Sequence, residues 1–268
     1  MRIPHFGHFL LLIPLTGIGT LFTVVFVLVA LHLRLFGVSS PQQATTEIHY
    51  LLGSEAILYI FTFVACLLIF PLIWHESLFA GLQWNGLTAL RLRWRLVGAA
   101  GLCFLLAMVS GEFMPGPTNA PIEKIFASPG AAWILFGFGI TFAPFFEEML
   151  FRGFLLPALA TAYDWCAEKT RSAPRRPLGE DGHPQWSLSG MVVASIVTSV
   201  PFAAMHAQQT GYSIGPFLLL VCVSLVLCAV RLSTRSLAAS VTVHACYNFL
   251  LFSIMMIGTD GFRHLDKM

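Results

Sequence analysis

The fold turns on the reading of Phe145-Phe146-Glu147-Glu148-Met149-Leu150-Phe151-Arg152-Gly153. Two carboxylates and an arginine stand there inside a stretch that otherwise reads as a membrane-spanning helix. A charge at bilayer depth costs roughly 2.5–3.5 kcal/mol even on the lenient insertion scale. Chains keep such groups where they pair with one another and do chemistry. The stretch is therefore read as a functional site buried in a bundle of helices.

Composition supports the same reading. The 268-residue chain is 57% hydrophobic and only 10% charged, with a mean hydropathy of +0.78. A water-soluble domain carries about 25% charged residues. The expected fold is all-α, a polytopic transmembrane helix bundle. A net charge of +2 is too small to suggest a nucleic-acid partner. The six cysteines (Cys66, Cys103, Cys166, Cys222, Cys228, Cys246) form no C-x-x-C pair and no pairing pattern, so they read as reduced packing residues.

About 20 apolar residues cross a bilayer as a helix. By that rule the spans lie near 9–32, 55–74, 95–112, 130–160, 188–210, 214–231 and 236–258. That makes seven, or eight if residues 113–130 hide a short interfacial helix. The first run, Phe9 to Leu31, is longer than a signal-peptide core and lacks a small-x-small cleavage site, so it reads as an uncleaved span. Pro144 and Pro157 are expected to kink or end the long fourth span.

With a cytoplasmic N-terminus, the inner segments hold Arg2, Arg91, Arg93, Arg95, Lys169, Arg171, Arg175, Arg176, Arg231 and Arg235. The outer ones hold Arg34, Lys124, Arg263 and Lys267. The positive-inside rule favours this orientation. Arg91-Leu92-Arg93-Trp94-Arg95 reads as an orientation signal and headgroup anchor. The segment from Tyr163 to Trp186, rich in charge, Pro and Gly, reads as a polar cytoplasmic loop.

Three polar patterns fall on neighbouring spans. Arg152 follows Glu148 by four residues, on one helix face and in the favourable acid-first order. Glu147 points about 100° away, with Phe151 and Phe154 on its stripe, and a carboxylate in such surroundings can serve as a base. Phe202 and His206 share a face, as do His244 and Asn248. Either histidine alone is more often a satisfied polar group than a catalyst. Three such sites on three spans of one half of the chain point to a shared centre.

Taken together, Glu147-Glu148-x-x-x-Arg152, Phe202-x-x-x-His206 and His244-x-x-x-Asn248 resemble the three motifs of the CPBP family. These are the CAAX-type intramembrane endopeptidases, also called abortive-infection proteins, with bacteriocin-processing members. The resemblance covers about residues 130–257, in the family's order, and divides the chain into N-terminal transmembrane helices (1–125) and a CPBP-like core (126–260) carrying the loop 163–186. It implies an intramembrane peptidase in which Glu147 takes a proton from water and His206 orients that water. His244 and Asn248 would donate to the tetrahedral oxyanion, with Glu148, Arg152 and Phe202 in support. The implied partners are the bilayer and a peptide or membrane-protein substrate, lipidated in some members.

A metal version stays open. Glu147, His206 and His244 make a three-ligand zinc set with a free position. No H-E-x-x-H occurs, because His75-Glu76 is followed by Ser77-Leu78-Phe79. The metal-free version is favoured, since Asn248 suits an oxyanion donor and zinc-bound histidines need outer partners that the sequence does not identify. Two rivals use the same residues otherwise: a catalytically silent scaffold or bacteriocin-immunity protein, and a proton-coupled transporter. One geometric demand is explicit. Glu147 and His244 sit at mid-depth or in the inner half, whereas His206 ends a straight fifth span. For the three to meet, that span must start deeper, tilt or continue past Gln209, or one span boundary lies elsewhere.

Overall fold

A computed structural model describes residues 4–114, 116, 128–170, 177, 179 and 185–264. Among these residues the regular structure is entirely helical. The main helices are α1 (Phe6–His32), α2 (Ile48–Trp74), α3 (Arg93–Phe113), α4 (Pro129–Ile140), α5 (Phe142–Glu148), α6 (Leu156–Thr170), α7 (Leu188–Met205), α8 (Ile214–Thr234) and α9 (Leu237–Gly258). Seven helical stretches are long and apolar enough to cross a membrane, with Pro129–Thr170 counted as one. The chain is an integral, multi-pass membrane protein.

Several expected boundaries move. The second span begins at Ile48, so Glu55 lies about two turns inside a helix rather than at its edge. The fourth stretch does not end at Pro157 but runs to Thr170, which makes residues 163–170 helix instead of loop. Residues 171–176, 178 and 180–184 of the expected loop, and 115 and 117–127 of the expected interfacial helix, lie outside the described residues.

Two breaks shape that long stretch. Thr141 leaves helical geometry (φ −123°, ψ −75°) three residues before Pro144, whose missing N–H weakens the ladder there. Residues Met149–Leu155 then form a π-helical turn, which widens the coil by one residue just before Pro157. The π turn spoils the simple stripe expected from Glu147 through Phe151 and Phe154. Phe151 meets Phe202 of α7 (centroids 5.3 Å), while Phe154 meets Phe70 and Trp74 of α2 (4.8 and 5.9 Å).

Packing fixes the depths. Helices α1 and α2 run antiparallel: Trp74 Nε1 donates to His8 Nε2 at 3.2 Å near one end, and Gly19 lets α1 close on Leu58 and Phe61 further along. Gly153 lies against Leu237, the first residue of α9. Taking 1.5 Å per residue, Glu147 stands about 9 Å above that contact and His244 about 10 Å above it. Asp164 lies about 16 Å below it, and there its carboxylate accepts from Ser187 N–H (2.8 Å) and from Ser187 Oγ. The 18 residues of α7 then climb about 27 Å, which returns His206 to the level of Glu147. The fifth span therefore starts deeper, one of the solutions left open by the sequence.

Candidate active site

Glu148 and Arg152 form the anchor. Both are fully buried, and Arg152 Nη1 donates to Glu148 Oε1 at 2.9 Å. The other end of the guanidinium donates to Ser224 of α8, from Nη2 to the carbonyl at 3.1 Å and to Oγ at 2.7 Å. Its carbon also lies 4.4 Å from the centroid of Phe202, a favourable cation–π contact. One arginine thus ties the π turn to α7 and α8.

Glu148 passes that order to α9. Its Oε1 lies 3.0 Å from His244 Nδ1. A carboxylate oxygen paired with Arg152 accepts here, so Nδ1 carries the proton and Nε2 is directed away from Glu148. His206 is fixed in the same manner by its own chain. Its Nδ1 lies 2.9 Å from the Phe202 carbonyl, which can only accept. Here α7 tightens as it ends, with His206 N–H bonded to Ala203 O at 3.1 Å. In a neutral ring, His206 Nε2 is then a bare acceptor.

Glu147 faces both rings. Its Oε2 is 3.7 Å from His206 Nε2 and 3.9 Å from His244 Nε2. That oxygen is buried and makes no direct hydrogen bond among the described residues. The three side chains therefore meet within the reach expected of a shared centre, contributed by α5, the end of α7, and α9. His206 is the most open of them, with 18% of its side chain exposed, against 8% for Glu147 and 5% for His244.

Asn248 lies one turn above His244, but its hydrogen bond goes elsewhere. Its Nδ2 donates to the Gly139 carbonyl at 2.7 Å, beside the break between α4 and α5. One of its two amide protons is thus committed to helix packing. Gly139 is needed for that approach, because a Cβ there would sit 2.9 Å from the Phe252 ring.

The histidines do have outer partners, Glu148 for His244 and the Phe202 carbonyl for His206, which the sequence left unidentified. Among the described residues, however, no three His, Cys, Asp or Glu side chains gather as a metal-holding group. The donors expected for zinc (Glu147, His206, His244) form no such group.

The sequence reading also missed a contributor from the N-terminal helices. Tyr59 of α2 stacks on Phe146 (4.7 Å, 22°), and its hydroxyl donates to Glu55 Oε1 at 2.7 Å. Glu55 is within electrostatic range of both Glu147 and His206. The signal was an i, i+4 Glu–Tyr pair in an apolar run, hidden because the span was drawn to begin at Glu55.

No curated protein and no solved structure matches the chain. A family model does match, that of the type II CAAX prenyl endopeptidase Rce1-like family, over residues 128–250. The match spans α4 to most of α9 and contains all three polar patterns. Residues 128–250 are thus similar to the Rce1-like type II CAAX prenyl endopeptidases, the family kind to which the three polar patterns point.

Proposed function

We propose that the protein is a membrane-embedded endopeptidase that hydrolyses a peptide bond with a water activated by Glu147 and His206. One observation carries the reading. With His206 Nδ1 committed to a carbonyl, His206 Nε2 and the Glu147 carboxylate are two acceptors facing each other at 3.7 Å. A water at roughly 2.8 Å from each satisfies both by donating its two protons. Its lone pairs then point away, toward an incoming carbonyl carbon.

The steps balance. Glu147 takes one proton as the water oxygen bonds to the carbonyl carbon. The developing oxyanion accepts from His244 Nε2 and from the second amide proton of Asn248. Donation from Nε2 requires the His244 imidazolium, and the Glu148 carboxylate at Nδ1 is the countercharge that supports it. When the C–N bond breaks, Glu147 returns its proton to the leaving nitrogen. Glu148, Arg152 and Phe202 orient these groups without touching the substrate.

The family name supplies the substrate class, a prenylated, membrane-associated peptide. The Lys and Arg distribution supports a cytoplasmic N-terminus. The test is hydrolysis of a fluorogenic farnesylated peptide by purified full-length protein. Glu147→Gln and His206→Ala should each lower kcat at least a thousandfold while thermal unfolding in detergent stays near the wild-type midpoint. Wild-type rates in both variants, or turnover only under a proton gradient, would overturn the reading.

A further inference from the structure

We propose that Glu55 and Tyr59 form a subsite that recognises an amine or guanidinium group on the substrate, beside the scissile bond. The proposal rests on the peptidase reading for its setting, but on separate residues. Both side chains belong to α2, outside the segment matched by the family model.

Glu55 stands about 10 Å into a membrane-crossing helix, at 1.5 Å per residue from Ile48. An ionisable group at such depth is expected to have a use or a partner. Among the described residues Glu55 has no Lys or Arg partner. Its hydrogen bond is the one from Tyr59, which fixes Oε1, and the half-buried carboxylate lies within electrostatic range of His206 and Glu147. Tyr59 is itself held by its stack on Phe146, the residue next to Glu147. The carboxylate is therefore positioned from a rigid platform rather than free to turn toward lipid.

A second observation concerns charge. Glu147 is buried, and its Oε2 makes no direct hydrogen bond among the described residues. The described cation of the centre, Arg152, is consumed by Glu148 and Ser224 on the far side. The face that meets a substrate is thus bordered by two carboxylates, Glu147 and Glu55, together with the two imidazoles, and among the described residues neither carboxylate pairs with a Lys or Arg. Low-dielectric walls strengthen the field of such a surface. A substrate ammonium or guanidinium is the group that this field attracts.

The experiment separates this subsite from catalysis. Full-length Glu147→Gln protein, which should bind without cleaving, is titrated with fluorescein-labelled farnesylcysteine peptides. Each peptide carries one lysine, moved through the two positions before the cysteine and the three after it, and each has a norleucine twin. At one position lysine should bind about tenfold more tightly than norleucine by anisotropy. Adding Glu55→Gln should bring that ratio to about one, and adding Tyr59→Phe, which keeps the ring stack, should narrow it. Absence of a lysine preference at every position, or a preference that survives Glu55→Gln, overturns the subsite. Cleavage of the same peptides by wild-type protein is scored separately. A lysine preference in binding without wild-type cleavage supports the subsite and overturns the peptidase reading instead.

Discussion

Arg152 shows how much one side chain can organise at the residue scale. It is fully buried, pairs with Glu148, binds Ser224 twice and lies over Phe202. Removing one member of a buried ion pair leaves an uncompensated charge and costs about 3–5 kcal/mol. Arg152→Ala should therefore unfold in detergent well below the wild-type midpoint, measured by a thermal scan. Glu148→Gln keeps an acceptor for His244 Nδ1 but leaves the buried Arg152 and a His244 imidazolium without their countercharge. It should therefore also unfold below the wild-type midpoint and, at temperatures where it is folded, lower kcat at least tenfold. Activity equal to wild type in Glu148→Gln would remove Glu148 from the proposed oxyanion assembly.

Helix α7 illustrates the scale of elements. His206 reaches Glu147 because α7 is set at the right depth, and the tie between Asp164 and Ser187 sets that depth. Asp164→Ala leaves a buried backbone N–H without its acceptor, at a cost of about 1–3 kcal/mol. The expected result is a lower unfolding temperature and a fall in kcat larger than any change in KM, since the variant shifts His206, the proposed water-orienting group, rather than a binding surface. At the other end of the site, Gly139→Ala would push a methyl group toward the Phe252 ring and strain the Asn248 bond to the Gly139 carbonyl. Overpacking of this kind typically costs 1–3 kcal/mol. Gly139→Ala should lose stability and turnover together, and an unchanged melting curve would show that Phe252 simply gives way.

The whole molecule carries two further expectations. The proposed orientation puts α6 on the cytoplasmic side, and its Cys166 is exposed. With the other five cysteines replaced by serine, a membrane-impermeant maleimide should label Cys166 in inside-out vesicles and not in right-side-out ones. The reverse pattern would invert the topology. In the metal-free reading, peptide cleavage by purified protein should persist after prolonged treatment with 1,10-phenanthroline and should not rise on adding zinc. Loss of activity that zinc restores would replace the water-activation scheme with a metal-bound one.

The helix bundle was legible in the sequence, and so were the polar residues from the second half of the chain that the structure brings together. Apolar runs of spanning length admit no other backbone solution in lipid, and Glu148 with Arg152 was legible because an i, i+4 pair is a property of one helix. Glu147, His206 and His244 stood out as ionisable groups in apolar surroundings, yet nothing local could say that they meet. Only the tertiary structure decided that, because the meeting depends on a kink at Thr141, a π turn at Met149–Leu155 and the depth at which Asp164 holds α7. The same holds for Glu55 and Tyr59, which α2 brings beside Phe146 from nearly ninety residues away. Distances between helices follow from how their side chains pack, and packing is a property of pairs of surfaces that no single stretch of sequence contains.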